Sequence, residues 1–152
     1  MYPFTLRSSA ISLMLIHFLQ CGCSPPVLPN LLKMMPNVFH DRSNIESLKE
    51  DQTLPDFKSA NKQSLGKLLV GFFRYYSQEF NFDQHIIDMK GAKRVNKDGV
   101  RDFILIRDPF TDQNVAKSVQ NFTARLKIED AFRKSYSELA KNKNLDLLFS
   151  RA

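Results

Sequence analysis

Ser64-Leu65-Gly66-Lys67-Leu68-Leu69-Val70-Gly71-Phe72-Phe73-Arg74-Tyr75-Tyr76 is the stretch on which the fold turns. Leu65, Leu68, Leu69, Phe72, Phe73 and Tyr76 recur at i, i+3, i+4, i+7, i+8 and i+11. That spacing is one face of a 3.6-residue period and predicts an amphipathic helix from about Asn61 to Ser77. Asn61 or Ser64 can supply the N-cap oxygen. Gly66 and Gly71 each cost about 1 kcal/mol against alanine inside a helix, so their presence implies close packing there. The stripe itself reads as plain hydrophobic core.

Upstream, Ser9 to Gln20 predicts a helix that is apolar nearly all round and therefore buried. It should end at Gly22, because Ser24-Pro25-Pro26-Val27-Leu28-Pro29 cannot be helical and favours an extended, rigid crossing. Arg7, the run from Ala10 to Leu19 and the small residues Cys21 to Ser24 also have the order of a secretory signal. His17 interrupts that run, which is too short to span a bilayer. Pro36 to Ala60 is polar and reads as a loop. Cys21 and Cys23 are spaced too tightly for an ordinary bridge, and no second Cys or His cluster completes a zinc site. They read as reduced thiols of an intracellular protein.

Downstream, His85-Ile86-Ile87-Asp88-Met89 is short and β-prone, and Phe103-Ile104-Leu105-Ile106 reads as a buried strand stopped by Asp108-Pro109. Between them, Asn96-Lys97-Asp98-Gly99 has turn chemistry. A two-stranded piece carrying a basic loop follows. The last third is helical, with Val115, Val119, Phe122 and Leu126 in one phase and Ala131, Phe132, Tyr136 and Leu139 in another. The shift predicts a break near Lys127. Leu145, Leu147, Leu148 and Phe149 should form a final apolar turn on the core.

With 152 residues, 43% apolar and 25% charged, the chain is the size of one globular domain. Thirteen Phe and no Trp predict a core of Phe and Leu. The net charge of +6 concentrates between Lys58 and Arg101, where nine Lys or Arg face four acids. A basic surface attracts phosphates, although the same excess also fits a solvated face of no special purpose. The sequence contains no Asp-x-Asp, the pattern that sets two carboxylates on one face of a strand to hold catalytic cations. A Gly-rich phosphate loop, His-x-x-x-His and Gly-x-Ser-x-Gly are missing as well. We therefore assign no catalytic residue and no metal ligand within the chain.

Three stretches in series carry a resemblance. Ser12 to Gln20 with Pro25 to Pro29 resembles the helix and proline crossing midway through the template-independent poly(A) polymerases and terminal uridylyltransferases. Ser64 to Phe73, Tyr75-Tyr76 and Phe80-Asn81-Phe82 resemble that family's poly(A)-polymerase-associated segment. Ile104 to Phe110 with Asn114 to Val119 resembles its nucleotide-recognition motif. The similarity runs from about Ser9 to Phe149.

The resemblance implies a mainly α fold: the helical C-terminal lobe of a nucleotidyltransferase with a short two-stranded β piece. Residues 1–35 would be the helix and proline crossing continuing from a catalytic lobe, 36–60 a linker, and 61–152 the associated domain with its recognition motif. Asp108, Pro109 and Phe110 would open the loop that lies against the incoming base, and Asn114 would fix its end and start the next helix. Lys90, Lys93, Arg94 and Lys97 are candidates for RNA phosphates. Uridine-selecting members carry a His just before that Asn. Gln113 stands there and the loop is one residue shorter, so the resemblance favours ATP over UTP. Lys67 stands in place of a common acidic residue. The family stacks the base on a Tyr at the position of Ser9 or Ala10, where this chain has no ring.

The implied partners are RNA, a nucleoside triphosphate and a catalytic lobe that brings the Asp-x-Asp and its Mg²⁺ or Mn²⁺; no membrane is implied. We expect a truncated, partial or degenerate member, cytoplasmic and inactive alone. The alternatives are a non-catalytic RNA- or protein-binding remnant, and a secreted protein resting on the signal-like start.

Overall fold

The computed structural model describes residues 6–39, 46, 49–91 and 94–142. The expected apolar turn at 145–149 lies outside them, as does Lys93. Helix α1 (Ser8–His17) runs directly into a π-helical turn, Phe18–Gly22. Ala10, Met14, His17 and Phe18 are buried, so the apolar run belongs to the core. The helix is not buried on every side, however: Ile11, Leu15 and Ile16 are 38%, 44% and 36% exposed. Uniform apolarity here includes a face that the described residues cover only in part.

After the prolines come two single-turn helices, α2 (Leu31–Met34) and α3 (Pro36–Phe39), the second inside the stretch expected to be loop. Asn30 caps α2 by accepting from the Lys33 amide at 3.1 Å. The chain returns to the proline crossing, where Ser59 Oγ donates to Pro26 O at 2.5 Å and Asn61 Nδ2 to Pro25 O at 2.7 Å. Asn61 is thereby committed elsewhere. Ser64 is the N-cap of α4 (Leu65–Arg74), accepting from the Lys67 amide at 3.3 Å.

Helix α4 also ends in a π-helical turn, Tyr75–Glu79. This wider turn lets the adjacent Tyr75 and Tyr76 both reach the interior, each 1% exposed. The Tyr76 hydroxyl donates to Met14 O at 2.7 Å and joins the turn to α1. Leu65, by contrast, is 57% exposed, so the predicted stripe is a core face only from Leu68 onward. Gly71 is required by contact, since a Cβ there would lie 3.1 Å from Phe18 Cζ.

Strands β1 (His85–Ile86) and β2 (Val95–Asn96) pair antiparallel, His85 with Asn96 and Ile86 with Val95. This corrects the expected partner of the first strand. Residues 103–106 meet it only through a parallel bridge, Ile87 with Ile106, in which Ile87 N donates to Leu105 O and Arg107 N to Ile87 O. Helix α5 (Phe122–Lys141) then packs along α4 and its π turn. It is unbroken at Lys127. The apparent phase shift arises because Val115 and Val119 precede the helix and pack from a turn. The buried face is Ala124, Arg125, Ile128 and Phe132, whereas Phe122 and Leu126 are exposed.

The core is aromatic, but its second component is not leucine. Phe18, Phe72, Tyr75, Tyr76, Phe80, Phe82 and Phe132 join Ile, Met and Ala side chains, and Leu105 is the one leucine among the buried residues described. Ring centroids lie 4.9 Å apart for Tyr75–Tyr76 and 5.8 Å for Tyr76–Phe132, both near the edge-to-face or tilted geometry that ring quadrupoles favour.

Candidate functional site

The segment 104–119 builds a loop whose shape is fixed by its own side chains. Asp108 Oδ1 accepts from the Phe110 amide at 2.9 Å and the Thr111 amide at 2.7 Å. Backbone bonds from Asp112 N to Asp108 O (3.0 Å) and Asp108 N to Gln113 O (2.9 Å) close it. Asp112 takes a φ of +58°, a left-handed conformation that Asp tolerates better than most side chains. Asn114 ties the base of the loop. Its Oδ1 accepts from Ile106 N at 3.1 Å and Ala116 N at 2.9 Å, and its Nδ2 donates to Ile104 O at 2.9 Å and Asp102 Oδ2 at 3.2 Å. The helix expected to start at Asn114 is instead a turn. The following helix is capped by Asn121, which accepts from the Ala124 amide at 2.8 Å.

The loop separates two recesses. On one flank, Asp108, Thr111, Gln113 and Asn114 face Arg7, Ser9, Lys117 and Ser118 across a cleft of about 290 Å³. On the other, Pro109 and Phe110 join Leu13, Ile16, Leu28 and Met89 around an apolar groove of about 330 Å³. The four predicted nucleotide contacts are thus divided, with Asp108 and Asn114 at the polar cleft and Pro109 and Phe110 wedged against α1. Sequence reasoning gave no site role to Arg7, Lys117 or Ser118, although Lys117 and Ser118 lie within the motif itself and Arg7 just before the first helix.

The basic candidates do not form one open face. Lys97 is 7% exposed, and its ammonium donates to the carbonyls of Asp102 and Phe103 (3.4 Å to the latter). Burial pulls its pKa below the usual lysine value. The side chain braces the approach to the loop, and it points inward because those carbonyls need a donor. Arg94 lies 5.0 Å over the Tyr75 ring, donates from Nε to the Tyr75 hydroxyl at 3.3 Å and from Nη1 to Glu79 O at 3.1 Å. Lys90 is exposed and pairs with Asp112 at 2.7 Å, beside the Arg107–Asp88 pair at 2.9 Å. Two ion pairs therefore fasten the loop to the segment after β1.

Behind the loop, His17 is fully buried, with Tyr75 Oη 3.4 Å and Cys21 Sγ 3.3 Å from its Nε2. Desolvation lowers its pKa to about 4 and raises Cys21 to about 11 and Tyr75 to about 12. These three stay neutral across the physiological range, which suits a packing role. Among the described residues no group of three or more His, Cys, Asp or Glu is placed to hold a metal ion.

The fold of mainly helices with one two-stranded sheet, organised around this loop, is that of the helical lobe in nucleotidyltransferase structures. Residues 64–114 match the model described as Cid1 family poly A polymerase. Poly(A) RNA polymerase GLD2 of Homo sapiens is 31% identical over 147 residues, 93% of this chain and 30% of that protein. The gld-2 enzyme of Caenorhabditis elegans is 28% identical over 201 residues, 95% of this chain and 18% of the relative. The structure of the GLD-2/RNP-8 complex superposes with a TM-score of 0.72 at 34% identity, covering 99% of this chain and 46% of the other. Cid1 poly(U) polymerase with MgGTP gives 0.71 at 26%, covering 97% and 48%. The chain spans about 30% of the length of the human relative it matches.

Proposed function

We propose that this chain is the nucleotide-recognising portion of an RNA 3′-end nucleotidyltransferase of poly(A) polymerase type, taking ATP in preference to UTP. The observation that carries the reading is the self-braced loop at 108–114, which presents Gln113 to a cleft flanked by Arg7 and Lys117. A loop shaped before ligand arrives loses little entropy on binding. Gln113, where uridine-selecting members have His, supports the adenine preference. RNA as substrate rests on the relatives' names as poly(A) RNA polymerases and on the surplus of cations. Of the cations singled out and described, Lys90 and Arg94 are both exposed, each beside an acid, Asp112 at 2.7 Å and Glu79 at 3.9 Å. A cytoplasmic location is part of the same proposal.

The divalent metal implied by the family does not fit the residues described. Asp108 spends Oδ1 on two amides, Asp112 is paired with Lys90, and the sequence has no Asp-x-Asp. Carboxylates that hold cations for phosphoryl transfer have to come from a catalytic lobe, and no step is assigned to a metal in this chain. Its own contribution is to bind and orient the nucleotide.

The test is nucleotide addition to labelled oligo(A) RNA with Mg²⁺ and each triphosphate, alongside ATP, UTP and RNA binding titrations. The expected result is ATP binding tighter than UTP, with no extension by the chain alone. Extension that no contaminating enzyme explains would overturn the division of labour. RNA binding without nucleotide binding would favour a non-catalytic remnant, a reading that the missing Asp-x-Asp equally allows.

A further inference from the structure

The loop that carries Gln113 is gripped from outside its cleft by three successive residues, Asp88, Met89 and Lys90. Asp88 is 6% exposed, and its two carboxylate oxygens have separate tasks. Oδ1 accepts from the Lys90 amide at 2.8 Å, and Oδ2 accepts from Arg107 Nη1 at 2.9 Å. A carboxylate taken out of water is unfavourable unless paired and hydrogen-bonded, so it holds both partners firmly. Arg107 immediately precedes the loop, and one oxygen therefore sets where the loop begins. The other oxygen sets Lys90. With its amide on Asp88 and its carbonyl accepting from Asn30 Nδ2 at 3.0 Å, the Lys90 backbone is held on both sides. From that base its ammonium reaches Asp112 at 2.7 Å. An exposed ion pair is weak where both side chains must be ordered to form it, but a stem on a fixed base has less freedom to lose. Asp112 stands at φ +58° immediately before Gln113. Met89 shares the apolar groove with Pro109 and Phe110. None of Asp88, Lys90 and Arg107 lines the polar cleft itself.

We propose that Asp88 is a positioning residue for nucleotide selection, acting through Arg107 at the entry of the loop and through Lys90 and Asp112 beside Gln113. The assignment rests on the reading of the loop as the part that recognises the base. ATP and UTP carry the same triphosphate, so a device that sets the pose of Gln113 changes the ratio of their affinities and leaves the phosphate contribution alone. A Lys90 that acted on a phosphate directly would do the reverse.

The experiment titrates ATP, UTP and inorganic tripolyphosphate into the full chain and into Asp88→Asn, Lys90→Met, Asp112→Asn and the Lys90→Met/Asp112→Asn double variant. Deuterium exchange of the Phe110 and Asp112 amides is followed alongside. Asp88→Asn keeps an acceptor for the Lys90 amide but sets a donor against Arg107, and Asp112→Asn tolerates the left-handed backbone. Lys90 and Asp112 are exposed, so their variants test the idea even if Asp88→Asn folds poorly. Each single variant should speed loop exchange and lower the ATP-to-UTP affinity ratio about three- to tenfold, and the double variant should be no worse than Lys90→Met, because the two residues act as one pair. Tripolyphosphate affinity should stay within about twofold of native, since a distant exposed charge is screened. Parallel losses for all three ligands, a double variant that adds the two single effects, or an unchanged ratio despite faster loop exchange would each overturn the positioning role while leaving the nucleotide site standing. A native chain that binds neither nucleotide, or both alike, would refute the reading of the loop itself and the Asp88 assignment with it.

Discussion

Asn114 spends both ends of its amide on holding the loop. Asn114→Ala would orphan the amides of Ile106 and Ala116, in residues 0% and 1% exposed. A stranded buried polar group costs about 1–3 kcal/mol, so urea unfolding should show a loss of roughly 2–4 kcal/mol. Asn114→Asp keeps the two accepting bonds but sets an oxygen against Ile104 O and Asp102. It should also destabilise, which separates hydrogen-bond direction from side-chain size. His17 gives a second residue-scale expectation. Burial holds its pKa near 4, against an ordinary 6.5, with Asp88 raising it slightly and Arg94 opposing. The unfolded chain therefore binds a proton that the folded chain refuses between those values. This contribution is complete above pH 6.5 and is lost as pH falls toward 4, on the order of 3 kcal/mol in all. His17→Gln should flatten that limb of a stability–pH curve. An acid limb unchanged in the variant would assign it to other groups.

Helix α1 and helix α4 meet through glycine. A Cβ on Gly22 would sit 2.6 Å from Phe18 Cδ2 and 3.3 Å from two Tyr75 ring carbons, whereas one on Gly71 meets Phe18 Cζ at 3.1 Å. Both ring faces are packed, so Gly22→Ala should cost about 1–3 kcal/mol of overpacking and Gly71→Ala less, as thermal unfolding would report. The elements themselves were legible to different depths. Helix α4 follows from apolar spacing, because a helix of ten residues repeats its period often enough to read, whereas α1 reads from a near-continuous apolar run and α5 from two phases with a break that the structure does not have. Strands β1 and β2 have two residues each, and two residues have no period. Their pairing was invisible for that reason. The false break at Lys127 came from treating turn residues Val115 and Val119 as helical. The loop at 108–114 was found through its resemblance to a family motif, but charge in a sequence has no direction. Lys97 counted as a surface cation until the carbonyls of Asp102 and Phe103 showed what it serves.

Across the whole molecule, the exposed apolar residues of α1 stand out. Ile11 and Leu15, one turn apart, are 38% and 44% exposed beside Ile16. Uncovered apolar surface of this kind promotes association. Ile11→Gln with Leu15→Gln should reduce self-association in sedimentation experiments and cost no more than about 1 kcal/mol, because neither side chain is core. If association persists, the adhesive surface lies elsewhere. The described helices include none long and apolar enough to cross a membrane. The paired π turns have a different kind of consequence. Each is latched by a bond spanning five residues, Cys23 N to Phe18 O at 3.0 Å and Phe80 N to Tyr75 O at 2.8 Å, and the Tyr75 ring packs against a latch residue of each, Phe18 and Phe80. Neither can open without disturbing the other. In deuterium exchange the Cys23 and Phe80 amides should therefore keep a common clock, exchanging at one shared opening free energy and slowing together when ligand fills the cleft.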